Sequence, residues 1–358
     1  MFDLIEQAIR SGGPEAGLSL LVQKLEEEKN YPLLFEARMM QKRHALGLPL
    51  LQMDVPEDKR AAYEQAFSDA ARETGSLFLA GGEISRAWPY FRAIGDGAPV
   101  AAAIEKLDAQ HQELDRIIEI ALEERVNPRK GFELMLAHYG ICRAITYFEQ
   151  YPDPKSREEC IALLVRTLHH ELVENLGRAI AQREGNAPDT QNIPALIAGR
   201  GWLFGDMDYY ADTSHVISVI RFGLDLQDPE TLRLALEICE YGGHLSPQFK
   251  YRVDPPFENV YPDHALYIHA LLGENVDAAI DHFRAGPPQV HVALLVRLKR
   301  YREAIEFSIE HLSEVPPDQL ACPSVLQLCQ LAGDYDLLRK LARDRGDLLS
   351  FVAANFRP

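Results

Sequence analysis

The chain is predicted to be all-α, an α-solenoid of helical hairpins with a loop-rich central region, and three observations carry that reading. Apolar residues recur three and four apart through most of its 358 residues, the spacing that lines one face of a helix. No stretch alternates polar and apolar residues between hairpin turns, as a half-buried strand would. A six-residue turn motif recurs four times between helical stretches.

The helical period starts with Leu4, Ile5, Ala8 and Ile9 and is clearest in HQELDRIIEIALEER, where Leu114, Ile117, Ile118, Ala121 and Leu122 form the inward stripe. The recurring turn reads GEISRA (82–87), ENVDAA (274–279), KRYREA (299–304) and GDYDLL (333–338). Each copy has a polar pair, an apolar or aromatic residue, two mostly polar residues, then Ala or Leu. A small or apolar residue there lets the second helix of a hairpin pack closely on the first. This pattern resembles the turn of the tetratricopeptide (TPR) family over about the first hundred and the last ninety residues. The last three copies start 25 and 34 residues apart, and only the second interval matches that family's period. The resemblance implies a TPR-like stack of hairpins with a concave binding surface. Three regions follow, expected to form one continuous body: N-terminal hairpins over 1–110, a central helical region with a candidate pocket over 111–263, and C-terminal TPR-like repeats over 264–358.

Composition narrows the function. Lys+Arg 37 against Asp+Glu 54 leaves a net charge of −17, which argues against nucleic acid and anionic membranes as partners, because both demand a positive field. Five cysteines, at positions 142, 160, 239, 322 and 329, lie in apolar runs without CxxC spacing; reduced thiols and a cytoplasmic location are expected. The first residues carry Asp3 and Glu6 where a secretory signal would be basic. There is no GxSxG, GxGxxG or GxxxxGK[ST] segment, so serine-hydrolase and common nucleotide chemistries have no support.

The central region breaks the repeat with two connections, Gly185 to Thr213 and Gly242 to Asp263, each longer than about twenty residues. Phe249, Tyr251, Phe257 and Tyr261 in the second demand packing partners, and its prolines stiffen it. It is read either as a pocket wall or lid, or as a structural plug between repeats.

The candidate site centres on WLFGDMDYYADTSH (202–215). Asp212, Thr213 and Ser214 are all good N-cap types, which places His215 in the first helical turn, where the helix dipole favours neutral imidazole. Asp212 and His215 are the catalytic candidates if the chain is an enzyme; the competing account is that Asp212 caps and His215 packs. Trp202, Tyr209, Tyr210, His244, Phe249, Tyr251, Phe257, Tyr261 and His264 are the candidate ligand-binding residues. His170 and Glu174 sit four apart on one helix face and, with His138 and His215, are the candidate metal ligands, so a divalent metal is the candidate cofactor. His138 and Cys142 are also four apart, with core packing expected for the thiol. The leading expectation is a protein that binds a peptide or small polar ligand in a central concave pocket. The alternative, from a different class, is a metal-dependent or metal-free enzyme using the His/Asp cluster of that pocket.

Overall fold

Helical periodicity is realised throughout the computed structural model, which describes residues 1–51, 54–151, 153–250, 257 and 259–356; among these none lies in a strand. The chain divides into two compact units, Met1–Cys160 and Ile161–Pro358. The first holds α1 (Phe2–Glu27), α2 (Tyr31–Ala45), α3 (Glu57–Ala80), α4 (Ile84–Ala93), α5 (Ala98–Ile104), α6 (Leu114–Leu122), α7 (Pro128–Tyr139), α8 (Ile141–Phe148) and the start of α9 (Arg157–Glu184). The second holds the rest of α9, then α10 (Ile193–Ile197), α11 (Thr213–Gly223), α12 (Pro229–His244), α13 (Val260–Leu271), α14 (Val276–Arg284), α15 (Pro288–Arg297), α16 (Tyr301–His311), α17 (Val325–Ala332), α18 (Tyr335–Asp344) and α19 (Leu348–Ala353). Within each unit the helices pack mainly on their neighbours in sequence. No helix among the described residues is long and apolar enough to cross a membrane.

Sequence stripes become buried faces. In α6 the five expected positions are buried, and so is Ile120, which closes the helix in on a wider arc than the stripe alone. In α9, Ile161, Leu164, Val165, Leu168, Leu172, Leu176 and Ile180 are fully buried at helical spacing. The break in α1 has a local cause: Gly13 sits at φ 82, ψ −179, a conformation open almost only to glycine, and Pro14 then restarts the helix.

Three of the four motif copies and two further turns share one geometry; the copy at 274–279 differs in that its N-cap is Asn275, itself at φ 53. A residue with positive φ ends the first helix at Lys29, Gly82, Lys299, Gly333 and Gly346. The next residue donates its backbone N–H five positions back, Asn30 to Leu25, Glu83 to Phe78, Arg300 to Leu295, Asp334 to Cys329 and Asp347 to Ala342, at 2.8–2.9 Å. That same residue is the N-cap of the following helix. The closing Ala or Leu of the motif, Ala87, Ala279, Ala304 and Leu338, is fully buried in every copy. The turns at Lys29 (KNYPLL) and Gly346 (GDLLSF) keep the polar pair but depart from the pattern after it: Pro32 and Leu33 take the two polar positions in the first, and Phe351 stands where Ala or Leu closes the motif in the second.

Two expectations are corrected. The long central connections are shorter than the glycines marking them: α10 and a 3₁₀ turn (Gly201–Leu203) occupy the first. In the second, α12 runs through Gly242 and Gly243, and α13 takes up Tyr261, Asp263 and His264. Cys142 is exposed, not core; the buried face of α8 is Ala144, Ile145 and Phe148, and two residues along a helix turns Cys142 off that face.

Candidate functional site

The second unit carries an open depression of about 460 Å³ built on the polar side of α9. While Leu168, Leu172, Leu176 and Ile180 point inward, Glu171, Asn175, Arg178 and Gln182 follow at steps of four, three and four, which keeps them on one adjoining face. Tyr209, Tyr210, Ala211 and Asp212 form the opposite wall.

This wall is held in place from behind. The Asn175 amide donates to the Tyr210 carbonyl at 2.6 Å, and the Tyr210 N–H donates to the Tyr241 hydroxyl at 2.8 Å. Arg178 donates to Asn175 Oδ1 at 2.5 Å, which fixes the amide orientation. Tyr241 is fully buried on α12, and burial pushes its phenol up to about 12, so it stays a neutral hydroxyl. Burial and the Asp208 carboxylate also raise the Tyr210 phenol. Other aromatic residues of the segment find protein partners: Trp202 lies under the Arg183 guanidinium at 4.4 Å, Phe204 stacks on His244 at 5.1 Å, and Tyr209 meets Phe249 edge-on at 5.3 Å. Tyr209 still shows more than half its surface to solvent.

Asp212 is the N-cap of α11. Its carboxylate accepts from the Ser214 N–H at 2.8 Å and the Ser214 hydroxyl at 2.6 Å. The hydroxyl bond is the main cause of its lowered pKa, with the Ser214 N–H and His215 adding to it. His215, in the first turn, is half-buried and is not among the residues lining the depression.

No family model matches this chain. Nor does any curated protein or solved structure show a significant match to it.

The other candidate residues are spread over separate places. His244 and Tyr261 line a second depression, of about 470 Å³, with Leu236, Cys239 and His269. Phe257 borders a third, of about 210 Å³, beside Asp263 and His282, yet is itself a core residue packed on Tyr267 and Phe283. His264 is buried; its Nδ1 lies 2.6 Å from the Val260 carbonyl, and burial lowers its pKa to about 4, so it is a neutral donor through Nδ1. Tyr251 lies outside the described residues. His170 and Glu174 do meet, at 3.3 Å, but on an exposed face. His138 belongs to the first unit, where it pairs with Asp115 at 3.4 Å. Among the described residues no three His, Cys, Asp or Glu side chains gather in a way that could hold a metal ion.

The sequence reading does not single out Glu171, Asn175, Arg178 and Gln182, although their spacing marks one helix face. It also missed Glu237, whose carboxylate accepts from Ile193 N–H at 2.9 Å and Asn192 at 2.6 Å and lies 2.8 Å from His169 Nε2. Burial alone would raise that carboxyl, but these bonds outweigh it and hold it below the ordinary value.

Proposed function

We propose that the chain is a TPR-like helical-repeat protein, an α-solenoid of hairpins, that binds an extended peptide or a small polar ligand in the depression between α9 and the Tyr209–Asp212 wall. The recurring turn, in which a residue of the polar pair donates its N–H five positions back and the closing residue is buried, supports the repeat reading. One observation carries the binding reading: a row of four polar side chains of mixed type, Glu171, Asn175, Arg178 and Gln182, faces two tyrosines across an open depression. Such a lining offers donors and acceptors at intervals along one direction, with aromatic surface opposite, which matches the alternating needs of a peptide backbone and its side chains. The Asn175–Tyr210 and Tyr210–Tyr241 bonds hold the wall before any ligand arrives, which reduces the ordering cost of binding.

The test is selection of binders from a random peptide library on the full chain, followed by calorimetric titration of the selected peptides into the parent, Arg178→Glu and Tyr209→Ser. Both variants alter exposed side chains, and circular dichroism checks that they fold. Binding weakened about tenfold or more in each is the expected result. Peptides that bind all three proteins equally overturn this reading.

A further inference from the structure

Two opposite charges in the α9 depression stand without a counter-charge among the described residues. Glu171, half-buried, and Arg178, exposed, both line it. Among the described residues the Glu171 carboxylate has no ion pair or hydrogen bond, and Arg178 bonds only the neutral Asn175 amide, at 2.5 Å. The charged groups around them are engaged. Asp212 accepts from Ser214 at 2.6 and 2.8 Å, Glu174 meets His170 at 3.3 Å, Asp208 accepts the Gly205 N–H at 3.1 Å, and Arg183 lies over Trp202 at 4.4 Å.

The helix sets the interval between the two free charges. Arg178 follows Glu171 by seven residues, and at roughly 1.5 Å per residue their Cα atoms lie about 10 Å apart along α9. Both side chains lean towards the helix N-terminus, which preserves that interval. An extended chain advances about 3.3–3.6 Å per residue, so a span of this size holds three residues. Asn175 lies between the charges on the same face, and the exposed ring of Tyr209 stands opposite.

We infer that the depression recognises a free peptide of three residues by both of its ends, the ammonium on Glu171 and the carboxylate on Arg178. This deepens the binding reading proposed above and rests on it. Arg178 gives one Nη2 hydrogen to Asn175, which steadies the guanidinium and leaves its other N–H groups to grip a carboxylate. A carboxylate at Glu171 accepts from an ammonium in the same way. An internal segment of a longer chain brings amides to both places, so it covers the two charges without neutralising them, and that penalty selects against it.

The probe is the tripeptide Ala-Leu-Ala with both ends free, titrated calorimetrically into the full chain beside its N-acetyl and C-amide forms and the shorter Ala-Leu and longer Ala-Leu-Ala-Leu-Ala. The free tripeptide is expected to bind, and each blocked form to bind about fivefold more weakly, the size of a solvent-accessible ion pair. The dipeptide and pentapeptide should bind less well than the tripeptide, because neither matches the interval between the charges. Glu171→Gln should bind the free and acetylated forms alike while still rejecting the amide. Arg178→Gln should bind the free and amidated forms alike while still rejecting the acetylated one. A general loss of structure does not produce that crossed pattern, and circular dichroism checks that both variants fold. Free and blocked tripeptides that bind the parent equally, or a free tripeptide that does not bind, overturn the inference. So does a blocking penalty that persists in both variants, which puts the peptide ends elsewhere. Library-selected peptides that bind with both ends blocked and lose affinity in Tyr209→Ser keep the α9 reading and remove this one. Selected peptides insensitive to Tyr209→Ser remove both.

Discussion

The imidazole Nε2 of His169 on α9 lies 2.8 Å from the Glu237 carboxylate on α12, and His169 is buried. The same carboxylate receives the Ile193 N–H and the Asn192 amide, so one side chain ties α9, α10 and α12 together. Removing it leaves a buried ring nitrogen and a backbone donor without their acceptor. Glu237→Ala is therefore expected to cost about 2–3 kcal/mol in urea unfolding, with faster hydrogen exchange at Ile193. A cost below about 0.5 kcal/mol would show that water replaces the carboxylate freely.

The buried His264 makes stability depend on pH in a defined window. Its folded pKa is about 4, lowered from 6.5 chiefly by burial and further by Arg221, while the Val260 carbonyl and Asp263 act in the opposite sense. Between these values the unfolded chain binds a proton that the folded chain does not. The contribution is thus complete above 6.5, falls as pH drops towards 4, and changes no further below that. The slope should reach about 1.4 kcal/mol per pH unit from this residue. Calorimetric melting of His264→Leu should show a flatter profile across that window than the parent. An unchanged slope would mean that other groups set it.

Adjacent glycines in α12 should respond in opposite ways. A Cβ on Gly242 would lie 2.0 Å from the Tyr261 ring, whereas one on Gly243 meets nothing within 4 Å. Gly242→Ala is expected to lose about 1–3 kcal/mol by overpacking. Gly243→Ala should be neutral or gain up to about 1 kcal/mol, because alanine is the better helix former. Equal effects in thermal melts would contradict this contact.

The shared turn geometry also makes a paired prediction. Lys299 holds φ at 59 and Gly82 at 78 in equivalent positions. Lys299→Gly should stabilise the chain by about 1 kcal/mol by relieving left-handed strain, and Gly82→Ala should destabilise it by a similar amount. If both changes destabilise, the Lys299 side chain contributes more than its backbone costs.

Helix content and the hairpin turns were legible because both are local: period and turn chemistry are written in consecutive residues. The buried closing residues Ala87, Ala279, Ala304 and Leu338 could be named from spacing alone, as could Asp212 as one of three possible caps. The placement of Tyr261, Asp263 and His264 inside α13 was not, since Pro262 and the aromatic run read as loop, yet proline is tolerated in a first turn where its N–H has no partner to lose. The wall of the α9 depression depends on Asn175 meeting Tyr210 and on Tyr241 meeting Tyr210, pairs separated by 35 and 31 residues. No local period encodes such distances. Histidine is chemically versatile in any sequence, but burial decides its role: His264 is core and His170 faces solvent.

Turns that bind the end of one helix to the start of the next have a kinetic consequence. Nearly all the packing in each unit joins helices that are consecutive in the chain, so little loop-closure entropy is spent before contacts form. Such low contact order favours fast closure of each hairpin, whose contacts lie close together in sequence. It also lets the α18–α19 pair open while the other pairs of neighbouring helices keep their contacts.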